Sequence, residues 1–158
     1  MDQDSFRADE QLFKALAVRC ETTICNEGCS LFKQGTEPRG IFLVIDGEAS
    51  LVMLSPAGQI TWSFRAGPGS VLGLPAAVGK APYTLTAFVR RGSVVGFVSL
   101  ADFSKLLQEQ PSLNPSVLTI LASEVRAARA AFATLESNPF SLQSETRCRR
   151  TDKSWPIV

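Results

Sequence analysis

The period of the apolar positions changes twice along this chain. Over residues 5–18, Phe6, Leu12, Phe13, Leu16 and Ala17 share one face of a 3.6-residue repeat, which predicts a short amphipathic helix. From Thr22 the pattern turns to brief apolar and β-branched runs. Residues 22–25 are broken by Asn26-Glu27-Gly28, a tight-turn sequence, and the strand signal resumes over 29–32. Residues 41–45 form a second run that Asp46-Gly47 ends, again with hairpin chemistry. Residues 49–54 lead into Ser55-Pro56-Ala57-Gly58, and 59–64 return from it; later strands are predicted at 85–90 and 94–99. Many short strands with turns at this spacing imply an antiparallel sandwich or roll.

Helical period returns at Ser99. Ser99-Leu100-Ala101-Asp102 places a hydroxyl N-cap three residues before an acid, and Phe103, Leu106 and Leu107 face inward until Pro111 stops the helix. Asn114-Pro115 restarts it, with a capping residue followed by proline at the first helical position. In the long helix that follows, Leu118, Leu121, Val125, Ala128, Phe132 and Leu135 alternate at spacings of three and four. That is a heptad seam, suited to pairing with a second copy or to packing on its own domain.

The expected fold class is therefore α+β: an N-terminal helix (1–20), an antiparallel β-roll or jelly roll (21–98) and C-terminal helices, the second a dimerisation helix (99–136). A mobile tail (137–158) completes the chain. Length supports a single domain, since 158 residues hold one sizeable core but not two. A net charge of +1 gives no general pull toward nucleic acid or anionic membrane. The acidic start Met1-Asp2-Gln3-Asp4 lacks the apolar stretch of a signal peptide, and no run is long enough for a bilayer. A cytoplasmic location with reduced cysteines is expected.

Histidine is absent, which removes the commonest general base and the commonest transition-metal ligand together. No carboxylate or lysine constellation replaces it, so an enzyme is not expected.

Four phrases occur in order: Leu31-Phe32-Lys33-Gln34-Gly35, Gly40-Ile41-Phe42-Leu43-Val44-Ile45-Asp46-Gly47, Gly67-Pro68-Gly69 and Ala101-Asp102-Phe103. Together they resemble the cyclic-nucleotide-binding domain of the catabolite-activator/FNR type, over roughly residues 12–135. The resemblance implies a β-roll whose ligand cassette reads Gly-Glu-x-Ala, a short gap, then Arg-Ser/Thr-Ala. Here that cassette falls on Gly73-Leu74-Pro75-Ala76 and Tyr83-Thr84-Leu85. Leu74 stands where a glutamate would meet the ribose hydroxyl, and Tyr83 where an arginine would pair with the cyclic phosphate.

Two charged anchors are thereby lost. At about 1.5–3 kcal/mol each, affinity should fall by roughly two to four orders of magnitude. Pro75 removes one backbone donor from the short helix after Gly73. The stretch Ala128 to Ala133, near the base end of the pocket, offers no hydroxyl to read a purine. Weak cyclic-nucleotide binding or none is expected. The emptied pocket has either collapsed on its own side chains or changed to a less polar, unidentified ligand.

FNR-type members hold an iron–sulfur cluster on cysteines. Here Cys20, Cys25 and Cys29 are spaced C-x4-C-x3-C, with Cys148 far away. This spacing lacks the close pair that seeds such sites, so no cofactor or metal is expected. A redox or iron–sulfur sensor built on these cysteines remains as an alternative. Arg147, Arg149, Arg150 and Lys153 form a loose basic cluster read as solvated, and residues 137–158 leave no room for a helix-turn-helix. Direct nucleic-acid binding is not expected. The anticipated protein is a homodimeric sensory domain that signals through a partner protein, or a ligand-free interaction module.

Overall fold

The computed structural model of the protein describes residues 4–136, with side chains as far as Thr134. The tail with its basic cluster and Cys148, and the Leu135 side chain, lie outside the described residues. Among them the order is α1 (Glu10–Ala17), β1 (Glu21–Cys25), β2 (Cys29–Phe32), β3 (Gly40–Asp46), β4 (Ala49–Leu54), β5 (Ile60–Ala66) and β6 (Val71–Leu72). There follow α2 (Leu74–Gly79), β7 (Thr86–Val89), β8 (Ser93–Ser99), α3 (Leu100–Glu109), a 3-10 turn (Pro111–Leu113) and α4 (Asn114–Glu136). The α+β roll expected from the pattern is what forms.

The strands make two four-stranded antiparallel sheets, β1-β8-β3-β6 and β2-β7-β4-β5. Two turns predicted as hairpins are instead corners, and the turn between β7 and β8 is a third. Strands β1 and β2 never pair with each other: Cys25 sits opposite Ser93 in one sheet and Cys29 opposite Val89 in the other. Likewise β3 and β4 both follow the β8–β7 ribbon, through Asp46 opposite Val94 and Ala49 opposite Val89. Three long ribbons thus bend together at Asn26-Glu27-Gly28, Gly47-Glu48 and Arg90-Arg91-Gly92. Bonds across the bend hold them: Gly92 N–H donates to the Cys25 carbonyl at 2.7 Å and Arg90 N–H to the Glu48 carbonyl at 2.9 Å. A register shift at Val44/Asp46 takes up the extra residue at the corner. Only Ser55-Pro56-Ala57-Gly58 joins strands that pair directly, β4 and β5.

Within the first sheet β3 is covered on both faces, which explains the unbroken apolar run at 41–45. Ile41 and Leu43 pack outward on Leu12, Leu16, Phe103, Leu106, Val117 and Ile120 of the helices. Val44 points inward, with Leu51, Phe64, Leu72, Ala87, Val89 and Val95 of the roll interior. A strand covered on both sides cannot show polar alternation.

Two helix starts differ from expectation. Phe6 does not ride on α1; it is buried in the roll interior, edge-on to Phe64 at 6.0 Å. Arg7 is instead held in an isolated bridge to Ser70, where Val71 N–H donates to the Phe6 carbonyl and Ala8 N–H to the Gly69 carbonyl. The helix begins after Asp9, whose carboxylate accepts from Leu12 N–H at 2.8 Å. Asn114 is already helical, because the preceding 3-10 turn runs straight into α4 and replaces a capping residue. Ser99 caps α3 as expected, accepting from Asp102 N–H at 3.1 Å. The Ser116 hydroxyl donates to the Asp9 carboxylate, tying the start of α4 to the cap of α1 and lowering the Asp9 pKa.

Candidate functional site

Gly73 turns the chain from β6 into α2 with φ +89°, a conformation glycine adopts without strain. A side chain there would also crowd Tyr83, since a Cβ would lie 3.1 Å from the ring. From this turn, Gly73, Pro75 and Ala76 form one wall of a small cavity, and Tyr83 and Thr84 another; Phe32, Leu51, Leu85 and Glu124 complete it. Five of the six cassette residues predicted from the sequence meet here. The sixth does not: Leu74 is fully buried in the helix-side core and faces away from the cavity. The reason is local, because in α2 consecutive residues point about 100° apart and Pro75 and Ala76 take the cavity-facing positions.

The cavity has been filled from inside. Its free volume is about 20 Å³, room for one water and far below the several hundred Å³ of an ordinary small-molecule site. Tyr83 does most of the filling. Its ring stacks on Phe32 with centroids 4.1 Å apart and planes 15° apart, and its hydroxyl donates to the Gly40 carbonyl at 2.8 Å. Its backbone is held as well, giving to the Thr36 carbonyl and taking from Gly35 N–H.

The hydroxyl–alanine pair of the family's cassette recurs at Thr86-Ala87, preceded by Leu85. On either placement, the arginine's position holds an uncharged side chain that lines the cavity, Tyr83 or Leu85. Thr86 is buried and its hydroxyl accepts from Gln34 N–H at 3.0 Å, so it is spent on the roll.

Glu124 was not singled out from the sequence. It comes from α4, and its Oε2 is sealed from solvent with no hydrogen-bond partner among the described residues. Burial pushes its pKa up to about 8. The signal was available: 124 lies four residues after Ile120 and seven after Val117, on the face that α4 turns to its own domain. The cavity therefore offers a carboxyl where an anionic phosphate would need a cation.

The other face of α4 carries the seam. Leu118 is 64% exposed, Val125 49% and Phe132 48%, whereas Leu121 and Ala128 are half-buried. Phe132 reaches one intramolecular partner, Trp62 of β5, edge-on at 6.5 Å.

Among the described residues Cys25 and Cys29 are neighbours, and Cys20 does not join them. Cys25 and Cys29 belong to the roll interior, Cys20 to the helix side, where its thiol donates to the Ala17 carbonyl at 3.2 Å. Burial, then the neighbouring Cys29, raises the Cys25 thiol to about 11, which opposes thiolate formation. Among the described residues no three His, Cys, Asp or Glu side chains converge as metal ligands, and no helix is long and apolar enough to cross a membrane.

The profile of the cyclic nucleotide-binding domain family matches residues 24–110, more than half of the chain. This chain belongs to the cyclic nucleotide-binding domain family. Solved structures agree in fold. The Thermus thermophilus catabolite activator protein aligns over 85% of this chain at 20% identity with a TM-score of 0.66; the chain spans 62% of that protein. The sensor domain of the transcriptional regulator DNR from Pseudomonas aeruginosa aligns over 74% of this chain and 79% of its own length, at 19% identity and TM-score 0.59. The N-terminal domain of a Streptomyces coelicolor A3(2) transcriptional regulator aligns over 82% and 89%, at 21% and 0.58. No curated protein matches the chain.

Proposed function

We propose that this chain is a regulatory sensory domain whose nucleotide cassette has closed, and that it works as a homodimer through α4. The observation that carries the reading is the pair of side chains occupying the cavity. Tyr83 takes the space, and Glu124 puts a carboxyl rather than a cation in what space is left. Neither cAMP nor cGMP is then a physiological ligand. Output passes through a partner protein or a further segment of the regulator, as the angle between paired α4 helices changes.

Thermal unfolding with and without millimolar cAMP or cGMP tests the cassette. A ligand at one hundred times its dissociation constant stabilises by about 2.7 kcal/mol and moves the midpoint by several degrees. No shift is expected; a clear shift with either nucleotide overturns the closed-cassette reading.

The dimer rests on the exposed stripe. Leu118, Val125 and Phe132 recur every seven residues, the spacing at which two helices bury a shared seam. Val125→Glu would place a charge at its centre and yield a folded monomer by sedimentation, against a dimer for the parent. A parent protein that sediments as a monomer would sink this half of the proposal.

A further inference from the structure

A second, larger space opens at one end of the roll interior. On β3 and β8 the inward positions run Val44 and Val95, both buried, then Phe42 and Phe97, both half-buried. Past that point the facing sheet no longer closes over them. Between Phe42 and Phe97 on one side and Leu31, Phe32 and Tyr83 on the other lies a cleft of about 410 Å³. The Phe32–Tyr83 stack lines both this cleft and the small cassette cavity, so the two spaces share a wall.

The cleft is rigid and aromatic. Phe42 and Phe97 lie 5.1 Å apart at 49°, and Phe32 and Phe42 5.8 Å apart at 36°. Gly40 is required beneath them, because a Cβ there would fall 2.6 Å from the Phe97 ring and 2.1 Å from the Val98 carbonyl. The 33–39 loop at the mouth is pinned to Tyr83 by three bonds: Gly35 N–H to its carbonyl, its N–H to Thr36, and Arg39 N–H to its hydroxyl.

That loop carries the only charges lining the cleft, Glu37 and Arg39, both exposed and neither in a side-chain hydrogen bond or ion pair among the described residues. One acid and one base on a pinned loop, beside an aromatic slot of ordinary ligand size, define the chemistry of the occupant. An anion alone would meet Arg39 but also the repulsion of Glu37. A cation alone would face the reverse. A molecule with both charges and a flat apolar body satisfies both, its carboxylate in the guanidinium fork and its ring against Phe42 and Phe97. We propose that this cleft binds a small aromatic zwitterion, of which an aromatic amino acid is the simplest.

Calorimetric titration of the chain with L-tryptophan, indole-3-acetate and tryptamine tests this directly. Tryptophan is expected to bind saturably, one per chain, with each half-ligand roughly tenfold or more weaker. Arg39→Gln should weaken tryptophan and indole-3-acetate by a similar factor while sparing tryptamine; Glu37→Gln should do the opposite. Both residues are exposed, so these variants keep the fold. Phe97→Ala should weaken all three ligands. Failure of tryptophan, phenylalanine and tyrosine all to bind at millimolar concentration overturns the proposal, as does binding that ignores Arg39→Gln and Phe97→Ala. A parallel titration of Phe97→Ala with cAMP separates the two sites, since Phe97 lines only this cleft and nucleotide binding would overturn the closed cassette and not the cleft.

Discussion

Glu124→Gln is expected to leave stability unchanged below about pH 4 and to raise it progressively above, with a gain of about 3 kcal/mol at pH 7. The sign follows from the direction of the shift. Burial raises the folded-state pKa from 4.5 to about 8, so on the acid side of 4.5 both states hold the proton and the residue is neutral to folding. Between 4.5 and 8 the unfolded chain releases the proton while the fold retains it, and each pH unit lowers stability by about 1.4 kcal/mol. Above about 8 both states are ionised and the loss levels off. Nothing on the cavity wall opposes this: Phe32, Leu51, Pro75, Ala76, Tyr83, Thr84 and Leu85 include no cation. Urea unfolding of parent and variant from pH 4 to 9 reads the difference. Identical pH slopes for the two proteins would show that the carboxyl is solvated and that the cavity is not sealed.

Tyr83→Ala is expected to cost about 3–5 kcal/mol, the range for removing a large buried ring. Three losses coincide at this position. The stack on Phe32 goes, the hydroxyl bond to Gly40 goes, and the wall between the cassette cavity and the aromatic cleft is breached. Tyr83→Phe separates the contributions, because it keeps the ring and drops only the hydroxyl's bonds, the short one to the Gly40 carbonyl and the longer one from Arg39 N–H, at about 1–2 kcal/mol together. Urea unfolding of both variants at one pH checks the pair. A cost for Tyr83→Ala no larger than that for Tyr83→Phe would mean the ring does not fill the cassette.

The two residues differ in how visible they were. Tyr83 was found because a family pattern demanded arginine near that position, and the substitution stood out. Glu124 belongs to no pattern. A glutamate in a long helix reads as solvated surface until the phase of Val117 and Ile120 is extended to it. Leu74 shows the opposite error: at a position where the pattern has a ligand-facing glutamate, it turned out to be core, because α2 rotates its side chain toward Ile41 and Val98.

The corners were illegible for a related reason. Asn26-Glu27-Gly28, Asp46-Gly47 and Arg91-Gly92 have the composition of hairpin turns, and the positive φ of Gly28, Gly47 and Gly92 is what that composition serves. Turn chemistry is local. Whether the strand after the turn pairs with the strand before it, or with a ribbon alongside, depends on contacts far away in sequence, such as Cys25 to Gly92 and Glu48 to Arg90.

By itself the sequence determined what is written in short-range pattern: seven of the eight strands in outline, the cap at Ser99, the heptad stripe on α4, and uncharged residues where the family's cassette pattern has a glutamate and an arginine. Periodicity, capping and residue identity act within a few neighbours, so one dimension records them. Tertiary structure alone decided which turns are corners, that Tyr83 and Glu124 line one small cavity with the 73–76 turn, and that Phe42 and Phe97 line an aromatic cleft together with Glu37 and Arg39. Each of these depends on how two sheets and a helix meet, and packing between distant segments has no local signature in the chain.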